Sequence, residues 1–136
     1  LSDRTDIVIV GDRFVLPSEL LFDSGSADIS PEGRPELDKV ADLIVELTGE
    51  IPDDVEWVLR VDGHTDNVPI ATNQFPSNWE LSTARATSVV RYLVSRGVAP
   101  DHLAAAGFGE FQPFTTTDTE DGRRQNRRIE FKLTEK

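Results

Sequence analysis

The stretch VEWVLRVDGHTDNVPIATNQFPSNWELSTARATSVVRYLVSRGV, Val55 to Val98, holds the decisive pattern of this chain. In its first part Trp57, Leu59 and Val61 alternate with Val58, Arg60 and Asp62, the two-residue period of a strand. Val58 adds apolar surface to the second face, so an interior strand is expected. A loop of about a dozen residues, stiffened by Pro69 and Pro76, follows; connections of that length in compact domains are often functional. SNWE then reads as a capping box, Ser77 at the N-cap and Glu80 at the third helical position. Ala86, Val89, Val90 and Leu93 share one face of the helix it opens. Gly97 can close the last turn in a left-handed conformation, with Val98 packing back.

Working outward, DIVIVGDRFVLP predicts two short strands about a Gly11-Asp12 turn, with Ile7, Ile9, Phe14 and Leu16 as candidate buried positions. ELLFDSGSADIS runs from apolar residues into a glycine-containing loop. Ser30 is an N-cap candidate with Pro31 at the first helical position. Leu37, Val40, Ile44 and Leu47 then recur at helical spacing, and Gly49 is a natural stop. Pro35 would clash inside a helix already begun at Pro31, so the regular helix can instead start at Pro35. Beyond the central stretch HLAAAGFGE is a strand candidate. In RIEFKL, Ile129, Phe131 and Leu133 alternate with Arg128, Glu130 and Lys132, which predicts one buried and one wet face. Strands, helix, strand, helix, strand, strand describe an α/β (α+β) two-layer sandwich. Its mixed sheet would be covered on one face by two main helices.

At 136 residues the chain fits one compact domain. It begins with Leu1 rather than Met, as expected of a fragment or a mature form, and no apolar run approaches the roughly 18 residues of a membrane span. Cysteine is absent, which excludes thiolate metal sites, cysteine nucleophiles and disulfides. With 25 acidic against 14 basic side chains the net charge is −11, and repulsion from phosphates argues against nucleic-acid or anionic-membrane binding. The basic run RRQNRR, Arg123 to Arg128, is expected to form a local salt network or to meet a small anionic ligand.

Several chemistries fail on spacing. The two histidines, His64 and His102, lie far apart with no HxxxH-type pair, so a zinc site built from them and Asp66 is not supported. No GxSxG elbow is present, and Asp66 is too near His64 in sequence to orient its ring as a triad requires. His64 is expected to hold the following loop by a hydrogen bond. Among 25 acidic residues, any chosen pair says nothing about glycoside hydrolysis. Asp66 and Arg85 are more informative. The first follows a strand end, and the second borders the buried stripe of the helix that begins near the same edge. They can pair with each other, or each can face a ligand of opposite charge, Asp66 an ammonium and Arg85 a carboxylate.

FDSGSADIS, VDGHTDNVPI, NWELSTARATSVVRYLVSRGVAPDHLAAAGFGE and GRRQNRRIEF together resemble the peptidoglycan-binding OmpA-like domain family, in register from about Phe22 to Leu133. The long loop NVPIATNQFPSNWELS is most similar to its MotB-type members. The resemblance implies residues 22–136 as the domain proper, with 1–21 a strand extension of the same domain. It implies non-covalent binding of the diaminopimelate of peptidoglycan stem peptides, without catalysis or cofactor, in the periplasm. Membrane attachment would come only through segments outside this chain. On the matching positions Asp66 holds the ligand's ammonium and Arg85 its carboxylate. Asn78 and Arg127 are polar contacts, Ile129 an apolar one, and Ser24 and Gly25 offer backbone groups. A second reading keeps the fold but makes the chain a structural or homodimeric stator-type module with a vestigial or gated pocket, Asp66 and Arg85 then pairing with each other.

Overall fold

The computed structural model describes residues 8–10 and 13–135. Ile7 and the Gly11-Asp12 turn fall outside them, as does the side chain of Ile9. Two strands, β1 (Val8–Val10) and β2 (Arg13–Pro17), lead into a short helix α1 (Ser18–Leu21). Then come α2 (Gly33–Thr48), β3 (Trp57–His64), α3 (Asn78–Ser95), β4 (Leu103–Gly107), α4 (Glu120–Asn126) and β5 (Arg128–Glu135). The sheet order is β1-β2-β5-β3-β4, with β3 and β4 parallel and the other pairs antiparallel. A parallel pair needs a crossover, and α3 supplies it.

The helix-facing side carries the core. Leu16, Leu59, Val61, Ile129 and Phe131 of the sheet meet Leu37, Val40, Ala41 and Ile44 of α2 and Ala86, Val89 and Leu93 of α3. Removing each such large side chain from water contributes about 1.5–3 kcal/mol. The mixed sheet with two main helices on one face is thus as expected. Ser77 caps α3, its hydroxyl accepting from Trp79 N at 3.2 Å and donating to the Glu80 carboxylate. At the other end Gly97 adopts φ +101° and Val98 N donates to Leu93 O. Ser30 caps the turn before α2, accepting from Gly33 N at 3.1 Å. Pro35 is the third residue of α2, inside the first turn, where its missing N–H costs nothing.

The first turns of α3 press on the ends of two strands. A Cβ at Gly63 would collide with the carbonyl of Ser82, and one at Gly107 with Thr83. This close approach holds Asn78 and Arg85 above the loop that leaves β3.

The opposite face of the sheet departs from expectation. Arg128 and Glu130 were expected to be wet but are buried, at 4% and 2% exposure. The segment after β4 folds back over them: Phe108 stacks on His64 (centroids 5.1 Å apart) and Phe114 lies over Arg128. Beneath it Glu130 accepts from Arg128 at 2.6 Å and from Arg13 at 2.8 Å, while Arg60 grips Asp62 with two bonds of 2.7 and 2.9 Å. Asp62, His64 and Glu130 are close enough together to suggest metal ligands, but Arg13, Arg60 and Arg128 already claim the carboxylates and would repel a cation.

His64 does not hold the loop, because neither of its ring nitrogens has a hydrogen-bond partner among the described residues. Burial first, then the charge of Arg128, pushes its pKa down to about 4, against the pull of Glu130. The unfolded histidine takes its proton near 6.5, so between those values only the unfolded state is protonated and stability falls as pH falls. The contribution has a ceiling of roughly 3 kcal/mol and is fully present above pH about 6.5. Guanidinium unfolding across this window should show the loss, and His64→Phe, which keeps the stack on Phe108, should show much less of it. Equal pH dependence in both proteins would refute this account.

Candidate ligand-binding site

At the end of the sandwich where β3 and α1 stop and α3 and β5 begin, a cavity of about 490 Å³ opens to solvent. Three carboxylates (Glu19, Asp66, Glu120) and three guanidiniums (Arg85, Arg123, Arg127) line it, so in a chain of net charge −11 the cavity is balanced. That bipolar lining favours a zwitterion over a simple ion.

Arg85 projects from the second turn of α3 and is only 6% exposed. Its Nε donates to Ser26 O at 2.8 Å and its Nη2 to Asp23 O at 3.2 Å, and its guanidinium lies over the Phe22 ring at 5.0 Å. These carbonyls come from a turn closed by Ser26 N to Asp23 O at 3.0 Å, with Gly25 at φ +70°, a conformation glycine adopts without strain. FDSGSADIS is therefore a hook of backbone around one arginine. Among the described residues no carboxylate lies within ion-pair distance of Arg85. Burial first, then repulsion by Arg127, pushes its pKa down to about 10, with Asp66 opposing. It is still charged at neutral pH, held by two backbone carbonyls and the Phe22 ring, with Asp66 acting on it only from across the cavity.

Asp66, 8% exposed, follows β3 by two residues. Its Oδ1 accepts from Val68 N at 3.1 Å and its Oδ2 from Arg127 at 2.7 Å. Arg127 also reaches Glu19 at 2.6 Å and Glu120 at 2.7 Å. Burial works against the Arg127 charge, but the bonds to Glu120, Glu19 and Asp66 outweigh it and raise its pKa. Asp66 and Arg85 thus line one cavity without pairing with each other. Asn78 lines it too, donating from Nδ2 to Val68 O at 3.1 Å and, at 3.4 Å each, to Asp66 O and Glu110.

Ser24 and Gly25 are on the wall as well. Ile129 is not. It is wholly buried, paired with Leu16 on one side and Gly63 on the other, and belongs to the core below the cavity. Arg127, two residues earlier, clears the end of β5 and reaches the opening. The loop after Asp66 is tied down rather than loose. Phe75 is buried with Ala27 and Leu81, while Val68, Pro69 and Ile70 form one rim of the cavity.

Glu19, Phe22, Glu120 and Arg123 are wall residues that sequence reasoning missed. The available signal was Thr119, which caps α4 by accepting from Gly122 N at 3.1 Å and so places Glu120 in a first turn. The four arginines of RRQNRR do form the expected salt network, with Asp118, Glu120, Asp121 and Glu19 for three of them and Glu130 for Arg128.

The chain is a two-layer α/β domain with a bipolar cavity at one end of its sheet. The comparisons place it: residues 21–127 match the OmpA family, to which this chain belongs. It is 32% identical over 128 residues to Motility protein B of Bacillus subtilis, covering 93% of this chain and 46% of that protein. It is 36% identical over 111 residues to Peptidoglycan-binding protein ArfA of Mycobacterium bovis, covering 82% of this chain and 31% of the relative. The chain therefore spans half the length or less of these two relatives. Among solved structures, a putative MotB like protein from Desulfovibrio vulgaris superposes with a TM-score of 0.86 at 31% identity, covering 98% of this chain and 81% of the other. The cell wall anchor of the T6SS from Pseudomonas aeruginosa gives 0.80 at 33% identity, with 99% and 92% covered.

Proposed function

We propose that this chain binds peptidoglycan without chemistry, anchoring a larger envelope protein to the cell wall from the periplasm. Its handle is the zwitterionic end of diaminopimelate in the stem peptide. Residues 22–136 would form the binding domain, with 1–21 its strand extension. The observation that carries this reading is the buried Arg85 charge, which among the described residues has no carboxylate partner and faces a cavity that also bears Asp66. A ligand carboxylate completes the guanidinium with a charge-assisted contact, and the ligand's ammonium meets Asp66 beside Glu19 and Glu120. The relatives named for peptidoglycan binding and for a cell wall anchor support the same reading.

The test is calorimetric titration of the purified domain with a soluble muropeptide containing diaminopimelate. Asp66→Ala should weaken binding by about 2 kcal/mol, roughly thirtyfold, because Asp66 already shares its charge with Arg127 and gives the ammonium only part of it. Lys39→Ala, on α2 and beside Glu36, should bind as the unaltered protein does. A muropeptide amidated at the carboxylate should bind weakly. Equal affinity for amidated and free forms would rule out the diaminopimelate clamp, and a folded domain that binds neither would rule out the function.

A further inference from the structure

Beside the cavity, the first turn of α3 carries a second feature that the clamp does not use. Trp79 and Phe111 stack at 5.0 Å with an interplanar angle of 22°. They remain 48% and 58% exposed, and neither belongs to a hydrophobic cluster among the described residues. One exposed aromatic needs no explanation, but two held together with their outer faces in water mark an interaction surface. The pair is seated rather than loose. Both rings come within 3.5 Å of where a Cβ on Gly109 would stand, and Gly109 is fixed by N to Ser82 Oγ at 3.0 Å and by its carbonyl accepting from Thr65 N at 2.9 Å. Thr65 is the residue before Asp66, so platform and clamp hang on the same strand end.

The two sites are also joined along the chain. Trp79 follows the wall residue Asn78, and Phe111 follows Glu110, which accepts from Asn78 at 3.4 Å. Glu110 borders a polar cleft of about 120 Å³ that shares Arg123 with the main cavity and adds Asn67, Thr116 and Asp118.

We propose that Trp79 and Phe111 form a sugar-binding platform for the glycan strand of the polymer whose stem peptide enters the cavity. The inference rests on the function proposed above and goes further in the ligand it names. Aminosugar rings present a face of C–H bonds that packs on aromatic carbon, while their hydroxyl and acetamido groups need donors and acceptors such as the adjacent cleft provides. The covalent structure of the ligand keeps the sugar near the cavity: two amino acids separate diaminopimelate from it, about 7 Å when extended. Asn78 and Trp79 are neighbours in the chain.

The experiment compares two probes by calorimetry, a free stem tripeptide containing diaminopimelate and the same tripeptide attached to its disaccharide. The unaltered domain should bind the glycosylated probe about tenfold tighter, the range of one or two aromatic stacking contacts. Trp79→Ala and, separately, Phe111→Ala should bring the ratio to about one while leaving affinity for the free tripeptide within about twofold. Trp79→Phe should restore most of the difference. Circular dichroism checks that α3 is intact, and Phe111→Ala, outside any helix, covers the case in which Trp79→Ala unsettles it. A ratio near one in the unaltered protein, or one unmoved by either alanine while the tripeptide still binds, overturns the platform and leaves the clamp standing. Failure of the unaltered domain to bind either probe overturns both.

Discussion

Arg85→Ala is expected to weaken binding of a muropeptide containing diaminopimelate by roughly 2–5 kcal/mol, or thirtyfold to several thousandfold. The effect should exceed that of Asp66→Ala, and the free site gives the reason. Asp66 enters the complex already paired with Arg127, so its contact with an ammonium replaces one partner by another. Arg85 enters with its charge buried and, among the described residues, two backbone carbonyls and the Phe22 ring but no carboxylate in direct contact, so a ligand carboxylate gains more of its interaction there. Without Arg85 that carboxylate would meet only Arg123 and Arg127, whose charges Asp118, Glu120, Glu19 and Asp66 already engage. Arg85→Lys should fall between, since an ammonium keeps the charge but cannot hold Ser26, Asp23 and a carboxylate in one planar fork. The measurement is titration calorimetry on variants whose melting curves show them folded. An Arg85→Ala protein that binds within threefold of the original would sink the clamp.

What the sequence revealed, and what it hid, follows from the range of the interactions involved. The capping box at Ser77, the Gly97 stop and the period-two alternation of Trp57 to Val61 act within a few residues, and each was legible. The hook around Arg85 was half legible: Gly25 announced a turn, but nothing local says that carbonyls of residues 23 and 26 will meet a guanidinium some sixty positions away. The helices α1 and α4, of 4 and 7 residues, are too short to display a helical period, so Glu19, Glu120 and Arg123 were passed over. Ile129 was assigned to the site by resemblance. The antiparallel register that sets it against Gly63 sends it into the core instead. On β5 the alternation placed Ile129 and Phe131 in the core, but Leu133, expected with them, is 36% exposed toward the end of the strand, and the pattern could not say what covers the polar face. That depends on residues 108–114, a stretch with no period that folds over the sheet from β4.

Glu130→Ala should then be among the most destabilising single changes in this chain, by about 3–5 kcal/mol. The glutamate is 2% exposed and holds Arg128, itself 4% exposed, at 2.6 Å, with Arg13 at 2.8 Å on its other oxygen. Removing it leaves Arg128 with carbonyls of Asn126 and Gln112 at 3.2 and 2.9 Å, while the neighbouring carboxylate of Asp62 is already held by Arg60. Arg13→Ala should cost far less, because that side chain is 37% exposed and water can replace its bond. Replacing Glu130 and Arg128 together by leucine and methionine should recover most of the loss, since a buried ion pair is often no better than apolar side chains of similar volume. Denaturant unfolding at pH 7 distinguishes these cases. A loss below about 1 kcal/mol for Glu130→Ala, the level of an exposed pair, would mean that water reaches Arg128 beneath Phe114. The second face of the sheet would then be wet after all, as the alternation in RIEFKL first suggested.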